Sequence, residues 1–282
     1  MHWLVTGGTG MLGSDLAGRL TERGERVWAP SSRELDVLDA RVVADAVAEV
    51  DVVVNCAAWT DVDGAEQHEA DAFAVNALGA DVLARACARR GRRLVHVSTD
   101  YVFAGTADTP YRVDDAPSPV SAYGRSKLAG EWAVRAASPE NLVVRTAWLY
   151  GARGACFPRT IARLLRERGG VDVVADQVGQ PTWTRDVAET VDRLVVTGAP
   201  GGVYHATASG ECSWFEFARA VAVAAGHDPE GVRPTTSEAF VRPAPRPAYS
   251  VLDHAPLAAA GVPVIDHWQE RWRTAAAEVL AG

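Results

Sequence analysis

Short apolar segments alternate with longer helical patterns through the first half of the chain. The apolar segments are residues 3–5, 26–29, 52–55, 93–98 and 142–145. Between the first two of them, Leu12, Leu16 and Leu20 recur four residues apart and form one stripe of a helix. Residues 71–90 form a second helical pattern, which Gly91 ends. Apolar strands separated by helices are typical of a parallel sheet covered on both faces, so the pattern predicts an α/β fold with a doubly wound parallel Rossmann sheet.

The pattern changes beyond Gly151. Helices are expected near residues 157–168, 187–196, 214–225 and 268–280, and short strands at residues 171–174 and 203–205. A proline-rich stretch, residues 242–247, lies before the last helix. We predict a dinucleotide-binding Rossmann domain at residues 1–150. We predict that residues 151–282 form mainly a smaller C-terminal substrate-binding cap, with segments that return to the Rossmann domain.

Composition narrows the class of protein. The 282 residues are 48% hydrophobic and 23% charged, which is typical of a globular chain and excludes a disordered, collagen-like or coiled-coil one. The formal net charge is -8, and basic residues do not form a run. Nucleic acid and anionic membranes are therefore not expected partners.

The cysteines and the N-terminus indicate where the protein works. The four cysteines are Cys56, Cys87, Cys156 and Cys212, scattered without a Cys-x-x-Cys pair or a Cys/His cluster. Free thiols and no metal site are expected. The first residues lack a basic and apolar leader pattern, and no apolar run is long enough for a membrane span. We expect a cytoplasmic protein.

A glycine-rich turn follows the first predicted strand. Gly7, Gly10 and Gly13 have the spacing Gly-x-x-Gly-x-x-Gly and open the helix that carries the leucine stripe. Glycines suit a tight turn whose backbone approaches a pyrophosphate at a helix N-terminus. A plain strand-to-helix turn is the alternative. The strand before the turn, the helix after it and the repeated βα units favour a dinucleotide site.

The end of the second strand indicates which dinucleotide binds. An acidic residue commonly holds the ribose at this place, but this chain has Ser31, Ser32 and Arg33. Hydroxyls and a guanidinium suit the 2′-phosphate of NADPH. The alternative is that Arg33 is a solvated surface residue and that Glu34 or Asp36 binds the ribose, in which case NADH is used. We favour NADPH.

Tyr123 and Lys127 lie four residues apart, so a phenol and an ammonium share one helical face. A free tyrosine has a pKa near ~10, and a neighbouring lysine together with the positively charged oxidised nicotinamide favours its phenolate. Ser98, Thr99 and Asp100 add hydroxyl and carboxyl groups at the end of the fourth strand, where open α/β sheets bind ligands. The alternative for Tyr123 and Lys127 is an ordinary exposed helix face.

The glycine turn, the strand-end hydroxyl and the Tyr-x-x-x-Lys pair together resemble the extended short-chain dehydrogenase/reductase superfamily. Five further blocks, at residues 55–63, 98–103, 123–131, 145–151 and 176–182, resemble the dTDP-4-dehydrorhamnose reductase family in order and sequence. Residues 246–247 and 250–252 extend the resemblance towards the C-terminus. It implies NAD(P)H-dependent reduction of the 4-keto group of a dTDP-linked 6-deoxyhexose, a step of rhamnose or other deoxysugar biosynthesis.

The resemblance also implies roles for residues. Thr99 binds the carbonyl, Tyr123 donates the proton and Lys127 assists. The residues assigned to the cofactor are Gly7, Gly10, Met11, Leu12, Gly13, Ser31, Ser32, Arg33, Asp39, Cys56, Ala57, Ala58, Thr60, Asn76, Tyr123 and Lys127. The residues assigned to the substrate are Asp100, Tyr101, Val102, Trp148, Asp176, Gln177 and Arg246. The simpler alternatives are that Trp148 belongs to the core and that Asp176 and Gln177 only form a turn.

Two departures from the family pattern bear on these expectations. Cys56 replaces a frequent alanine, and Asp15 replaces a frequent glutamate that is linked to Mg²⁺ and dimerisation in some members. We therefore do not predict a metal site, and we leave both the use of Mg²⁺ and a homodimer open. Trp214, Trp268 and Trp272 are expected in the core. The competing functions are a nucleotide-sugar epimerase or dehydratase of the same superfamily, and a non-catalytic regulator resembling the methionine adenosyltransferase β subunit.

Overall fold

The structure is a computed structural model that describes residues 1–282. Its strands are β1 (His2–Thr6), β2 (Arg26–Trp28), β3 (Val52–Asn55), β4 (Arg93–Thr99), β5 (Leu142–Thr146), β6 (Leu149–Tyr150), β7 (Val171–Val174), β8 (Val178–Gly179), β9 (Thr182–Trp183), β10 (Gly202–His205), β11 (Ala208–Ser209), β12 (Cys212–Ser213), β13 (Val232–Thr235) and β14 (Ile265–His267). Its α-helices are α1 (Met11–Glu22), α2 (Ala40–Ala48), α3 (Gly64–Gln67), α4 (Glu69–Phe73), α5 (Gly79–Arg90), α6 (Ala122–Ala137), α7 (Phe157–Arg168), α8 (Thr184–Val196), α9 (Trp214–Ala224), α10 (Ala255–Ala259) and α11 (Trp268–Ala281).

A six-stranded parallel sheet forms the centre, in the order β10-β5-β4-β3-β1-β2. The strand order reverses between β1 and β3, because β2 lies outside β1 and the later strands extend from β3 in the other direction. In open α/β sheets, ligands bind outside the carboxyl ends of the strands at such a reversal. The predicted doubly wound parallel sheet is confirmed, and its topology places the glycine turn at the binding edge.

Alternate residues of the strands face two separate cores. Trp3 and Val5 pack with the leucine stripe of α1 and with Val187 and Val191 of α8. Leu4 points to the other face, where α2, α5 and α6 cover the sheet with residues that include Val47, Leu83 and Val134. Both helical layers are therefore needed to bury strands that are apolar throughout.

A third core lies in the second half of the chain. It joins α7, α9 and α11 and contains Phe217, Trp268 and Trp272 among its buried residues. The chain also returns to the main sheet: β10 pairs with β5, and α8 packs against α1. The segment from α8 to β10 therefore belongs to the layer of the central sheet, although it lies beyond residue 151 in the sequence.

The second helical pattern differs from its prediction. The predicted helix at residues 71–90 is α4, a π-helical turn (Ala74–Leu78) and α5 in succession. The turn places the buried Asn76 where its side-chain Nδ2 donates to Trp59 O at 3.2 Å and to Ser126 Oγ at 2.9 Å, and where its Oδ1 accepts from Trp59 N at 2.8 Å. A buried amide that needs three partners explains the local change of winding.

Two other expectations concern the whole chain. All four cysteines are free thiols, as predicted. None of the helices has the length and apolar character that crossing a membrane requires.

Candidate active site

One cleft of about 860 Å³ opens at the carboxyl edge of the central sheet. It is lined by the glycine turn, by the loops after β2, β3, β4 and β5, by α6 and by the start of α9. The lining residues are Gly7, Thr9, Gly10, Met11, Leu12, Gly13, Ser32, Leu35, Asp36, Val37, Cys56, Ala57, Ala58, Trp59, Thr60, Val62, Val75, Val97, Ser98, Thr99, Asp100, Tyr101, Tyr123, Lys127, Thr146, Ala147, Trp148, Leu149, Gly154, Ala155 and Trp214. The topology thus brings together residues that are distant in the sequence.

The glycine turn is built around Gly7, whose φ is +66°. A Cβ atom there would lie 2.7 Å from the backbone nitrogen of Ala57, and a Cβ atom at Gly13 would lie 2.2 Å from the carbonyl oxygen of Gly7. Only glycine combines the left-handed backbone with this close packing of loop against loop. The result leaves the N-terminus of α1 open to the cleft, where its free N–H groups favour an anion.

The loop after β2 carries the residues expected at the ribose. Ser32 and Asp36 line the cleft, and Arg33 is exposed beside them. Glu34 is occupied elsewhere, because its carboxylate accepts from the backbone N–H of Ser31 at 2.8 Å and from the Ser31 hydroxyl at 2.7 Å. These bonds lower the pKa of Glu34. Of the two acidic alternatives, only Asp36 reaches the cleft.

Beneath the loop after β3 lies a fully buried polar network. Thr6 Oγ1 donates to Asn55 Oδ1 at 2.7 Å, and Asn55 Nδ2 lies 3.1 Å from His96 Nδ1. Asn55 Oδ1 also accepts from the backbone N–H of Ala57 at 3.1 Å. Burial, and then the charge of Lys127, holds the pKa of His96 well below its usual value. A neutral histidine therefore helps to fix the loop that forms the cleft floor.

Thr99 and Asp100 end strand β4 inside the cleft. Thr99 Oγ1 donates to Asp100 Oδ1 at 2.9 Å and accepts from the backbone N–H of Tyr101 at 3.2 Å. Burial raises the pKa of Asp100 to about 6, in spite of hydrogen bonds from Ser250 and Thr99. The hydrogen bond to this carboxyl group holds the Thr99 hydroxyl in place.

Helix α6 positions Tyr123 and Lys127. Ser121 caps its first turn by accepting from the backbone N–H of Gly124 at 3.1 Å. A Cβ atom at Gly124 would lie 2.2 Å from the carbonyl oxygen of Tyr101, so the glycine lets the helix approach the loop after β4. The rings of Tyr101 and Tyr123 meet edge to face at 5.8 Å. Tyr123 thereby faces the cleft beside the carboxyl end of β4.

The titration of this pair differs from the expectation that Lys127 favours a phenolate. Burial raises the pKa of Tyr123 to about 12, opposed by a hydrogen bond with Thr99. Burial also lowers the pKa of Lys127 to about 8, opposed by the charge of Glu131. The Lys127 ammonium donates to the carbonyl oxygen of Val97 at 2.7 Å. Loss of hydration dominates both pKa shifts, and Tyr123 is a protonated donor at neutral pH.

A pair of stacked tryptophans forms one wall of the cleft. Trp148 and Trp214 stack with ring centroids 3.5 Å apart and planes inclined by 7°. The core positions predicted for Trp268 and Trp272 are correct, but Trp214 is half-buried and lines the cleft. Its position at the start of α9 gave no sequence signal for this, because the stacking partner lies 66 residues away in the chain.

Three residues assigned to the substrate do not line the cleft. Asp176 accepts from the backbone N–H of Ser237 at 2.8 Å and from its hydroxyl at 2.9 Å, and Gln177 Nε2 donates to the same hydroxyl at 2.8 Å. Arg246 pairs with Asp63 at 3.0 Å and lies 6.0 Å from the ring centroid of Tyr101. Asp176 and Gln177 anchor a loop, whereas Arg246 lies directly behind a cleft residue.

Five other assigned residues also lie outside the lining. Ser31 and Arg33 are the neighbours of Ser32 in the chain but do not line the cleft. Asn76 accepts a hydrogen bond from the backbone N–H of the lining residue Trp59, and Val102 is fully buried. Asp39 is the N-cap of α2, where its carboxylate accepts from the backbone N–H groups of residues 41 and 42. Asp39, Asn76 and Val102 therefore support the cleft wall, whereas the exposed Arg33 lies next to the lining residue Ser32.

Asp15 has a partner within the chain. Its carboxylate accepts from the hydroxyl of Thr184, which joins α1 to the start of α8. No group of three or more histidine, cysteine, aspartate or glutamate side chains is arranged to hold a metal ion.

Comparison with known proteins agrees with this geometry. The family model described as "RmlD substrate binding domain" matches residues 1–281. A dTDP-4-dehydrorhamnose reductase of Mycobacterium tuberculosis is 48% identical over 279 residues, which are 97% of this chain and 92% of the relative. A probable dTDP-4,6-dihydroxy-2-methyloxan-3-one 4-ketoreductase of Streptomyces antibioticus is 48% identical over 287 residues, covering 100% of this chain and 96% of the relative.

The comparison of structures gives the same result. The crystal structure of dTDP-4-dehydrorhamnose reductase from Bacillus anthracis in complex with NADP superposes with a TM-score of 0.94 at 36% identity and covers 98% of this chain and 99% of that one. The sequence blocks, the strand order and the full-length matches lead to one conclusion. The chain belongs to the dTDP-4-dehydrorhamnose reductase family.

Proposed function

We propose that this protein catalyses the NADPH-dependent reduction of the 4-keto group of a dTDP-linked 4-keto-6-deoxyhexose, in deoxysugar biosynthesis. The observation that carries the proposal is the convergence of Thr99, Tyr123 and Lys127 on one cleft that begins at an open glycine turn. Relatives that match the chain over nearly its full length are named as reductases of such substrates.

The residues present fit NADPH. The left-handed Gly7 and the close packing of Gly13 leave backbone N–H groups of the turn and of α1 free for a pyrophosphate. Ser32 and Arg33 supply a hydroxyl and a guanidinium for a 2′-phosphate, and Lys127 would reach the nicotinamide ribose. The small residues Cys56, Ala57 and Ala58 leave room along the cleft floor. NADPH bound here supplies a hydride.

The chain's own residues then handle the carbonyl oxygen. The Thr99 hydroxyl donates to Asp100 in this structure, so its hydrogen must turn to the substrate's carbonyl oxygen on binding. Tyr123, protonated at neutral pH, transfers its proton to that oxygen as the C=O double bond becomes a C–OH single bond. The nearby ammonium of Lys127 offsets the negative charge left on the phenol oxygen.

We also propose a division of labour along the chain: residues 1–150 bind the cofactor, and residues 151–282 mainly bind the sugar nucleotide. The glycine turn and the Tyr-x-x-x-Lys helix support the first part, and Trp214 on the cleft wall supports the second. The four free cysteines and the use of reduced cofactor support a cytoplasmic setting. A homodimer stays a prediction, which light scattering of the purified protein tests.

A panel of nucleotide-linked 4-keto-6-deoxysugars with NADPH or NADH tests the proposed function. We expect one molecule of NADPH to be oxidised for each sugar reduced, and the stereochemistry of the product identifies the sugar. Turnover without net cofactor oxidation would instead indicate an epimerase or dehydratase. Absence of turnover, together with capture of a synthetase partner, would indicate a regulatory subunit.

Arg33 tests the choice of cofactor. Because only NADPH carries a 2′-phosphate, Arg33→Ala is expected to weaken NADPH binding by roughly 10- to 100-fold, the loss of a charge-assisted hydrogen bond, and to leave NADH binding nearly unchanged. Calorimetric titration of both cofactors measures this. Arg89, an exposed arginine of α5, provides the matched control Arg89→Ala. Equal losses for the two cofactors would contradict the role of Arg33.

Arg246 tests recognition of the nucleotide. We expect Arg246→Ala to raise the KM for the sugar nucleotide and to lower kcat/KM by about tenfold, because binding energy far from the carbonyl orients the reacting carbon. The affinity for NADPH is expected to stay near that of the wild type, since the glycine turn is untouched. Calorimetric titration with dTDP and with NADPH separates the two sites.

Arg242 provides the control for this experiment, because it also pairs with Asp63 but its side chain is 48% exposed. If only the ion pair with Asp63 mattered, Arg242→Ala and Arg246→Ala would change the KM for the sugar nucleotide to the same extent. Normal dTDP binding by Arg246→Ala would remove Arg246 from the substrate site.

A further inference from the structure

Trp148 has an unusual backbone. It is the only residue other than glycine with a positive φ, +46°. A bulky side chain is rarely found in this left-handed region, and such strain persists only where the surrounding structure holds it. Trp148 also lines the cleft, next to the end of β5. The strain therefore lies at the candidate active site and calls for a structural cause.

Three contacts hold the Trp148 backbone and ring. The Trp214 ring stacks on it, with centroids 3.5 Å apart and planes inclined by 7°. A Cβ atom at Gly179 would lie 2.5 Å from Trp148 Cε2, so only glycine leaves space for the indole there. The carbonyl oxygen of Trp148 accepts from the backbone N–H of Thr182 at 3.2 Å. The block at residues 176–182 thus frames Trp148.

Trp214 is itself held firmly. It is the first residue of α9, directly after the N-cap Ser213, which forms a capping box with Glu216. Its backbone N–H donates to the carbonyl oxygen of Gln177 at 3.4 Å, and the Phe157 ring packs against its ring at 4.4 Å between centroids. Pairing of β12 with β8 places the start of α9 beside Gly179. These contacts fix the position of the second indole in the fold.

A purely structural pair would have both rings in the core. Instead, both rings are half-buried and both line the cleft, whereas Trp268 and Trp272 are buried. The two indoles are stacked face to face, so the pair forms an apolar wall in which one ring backs the other, and the surface that this wall exposes to the cleft suits the face of a sugar ring. The wall fixes where that ring lies relative to Thr99 and Tyr123, which line the same cleft.

We propose that Trp214 is a positioning residue for the sugar: its ring, with Gly179, holds the strained Trp148 so that the two indoles form one preformed wall that orients the keto carbon. This role rests on the proposed function. It also gives the block at residues 176–182 a task that its sequence did not indicate. Through Gln177, Gly179 and Thr182, the block builds the aromatic wall.

Trp214→Ala is the direct test. Removing one indole frees Trp148 to leave its left-handed conformation, so kcat/KM for the sugar nucleotide is expected to fall about 10²-fold, as for other misplaced substrates. NADPH affinity is expected to stay unchanged. The second measurement is circular dichroism of the ligand-free protein, because two stacked indoles give an exciton couplet, which Trp214→Ala should abolish.

Two further variants keep the test decisive if Trp214→Ala folds poorly. Trp214→Phe retains an aromatic surface and is expected to keep kcat/KM within about threefold of the wild type. Gly179→Ala leaves Trp214 intact but pushes on Trp148, so it is expected to reproduce the kinetic defect. Trp132→Ala, at a tryptophan that is 63% exposed on α6, is the control that changes neither the couplet nor the kinetics.

The outcomes separate this role from the proposed function. A wild-type protein without turnover on any 4-keto sugar would overturn the function, whereas the couplet would still report the indole pair. An active wild type whose Trp214→Ala and Gly179→Ala variants keep normal kcat/KM would overturn the positioning role. So would a parallel loss of NADPH and sugar-nucleotide binding in both variants, which would show that the pair only stabilises the fold.

Discussion

Tyr123→Phe is expected to lower kcat by about 10²-fold or more, the contribution typical of a positioned general acid. The change keeps the ring that packs edge to face on Tyr101 but removes the hydroxyl that donates the proton. Since burial raises the pKa of Tyr123 to about 12, this hydroxyl is protonated throughout the neutral range, as a reductase requires. Steady-state kinetics with NADPH and the 4-keto sugar measures the loss.

Binding of cofactor provides the internal control for this variant. The affinity for NADPH is expected to stay near that of the wild type, because Lys127 and the glycine turn are unchanged. Tyr204→Phe is the matched substitution outside the cleft, where the hydroxyl donates to the carbonyl oxygen of Pro200 at 2.7 Å. Its kcat should not change. If Tyr123→Phe turned over substrate at the wild-type rate, the proton donor would have to be another group.

Arg145→Met is expected to produce the largest loss of stability. Arg145 and Glu131 form a two-pronged ion pair at 2.9 and 2.7 Å, with side chains only 4% and 3% exposed. Removing the guanidinium leaves a buried carboxylate without its partner, which costs about 3–5 kcal/mol. Such a cost is a large part of the ~5–15 kcal/mol that stabilises a typical domain. Urea denaturation monitored by tryptophan fluorescence measures the change in the free energy of unfolding.

An exposed ion pair on the same helix provides the control. Arg125 pairs with Glu69 at 2.8 Å, with side chains 42% and 48% exposed, so Arg125→Met is expected to cost at most ~1 kcal/mol. The double variant Arg145→Met with Glu131→Leu should regain much of the lost stability, because no unpaired charge remains. A loss as small for Arg145→Met as for Arg125→Met would show that Glu131 finds another partner or is protonated at little cost.

The buried Arg145–Glu131 pair also affects an active-site residue through its charge. The charge of Glu131 raises the pKa of Lys127, against the burial that lowers it to about 8. Glu131 therefore both pairs with Arg145 and favours the charged form of Lys127. Neither residue was assigned to the site from the sequence, because an arginine and a glutamate 14 residues apart have no periodic relation.

Local patterns determined the elements of the fold. The leucine stripe of α1, the apolar strands and the helix at Phe157–Arg168 follow from periodicities that each segment carries by itself. The roles of Gly7 and Gly13 could likewise be predicted from the sequence, since a turn that must adopt a positive φ and pack closely needs glycine. Tyr123 and Lys127 were readable because the spacing of four residues already places them on one helical face.

The tertiary structure alone decided what depends on residues far apart in the chain. Asp176 and Gln177 were expected to bind substrate, but Ser237 is the partner that the fold brings to them. Trp214 was expected in the core, yet the pairing of β12 with β8 places it on Trp148. Stacking, burial and the pKa values that follow from burial are properties of neighbours in space. A linear pattern specifies which face a residue occupies within its own element, but the packing of elements against one another determines what that face meets.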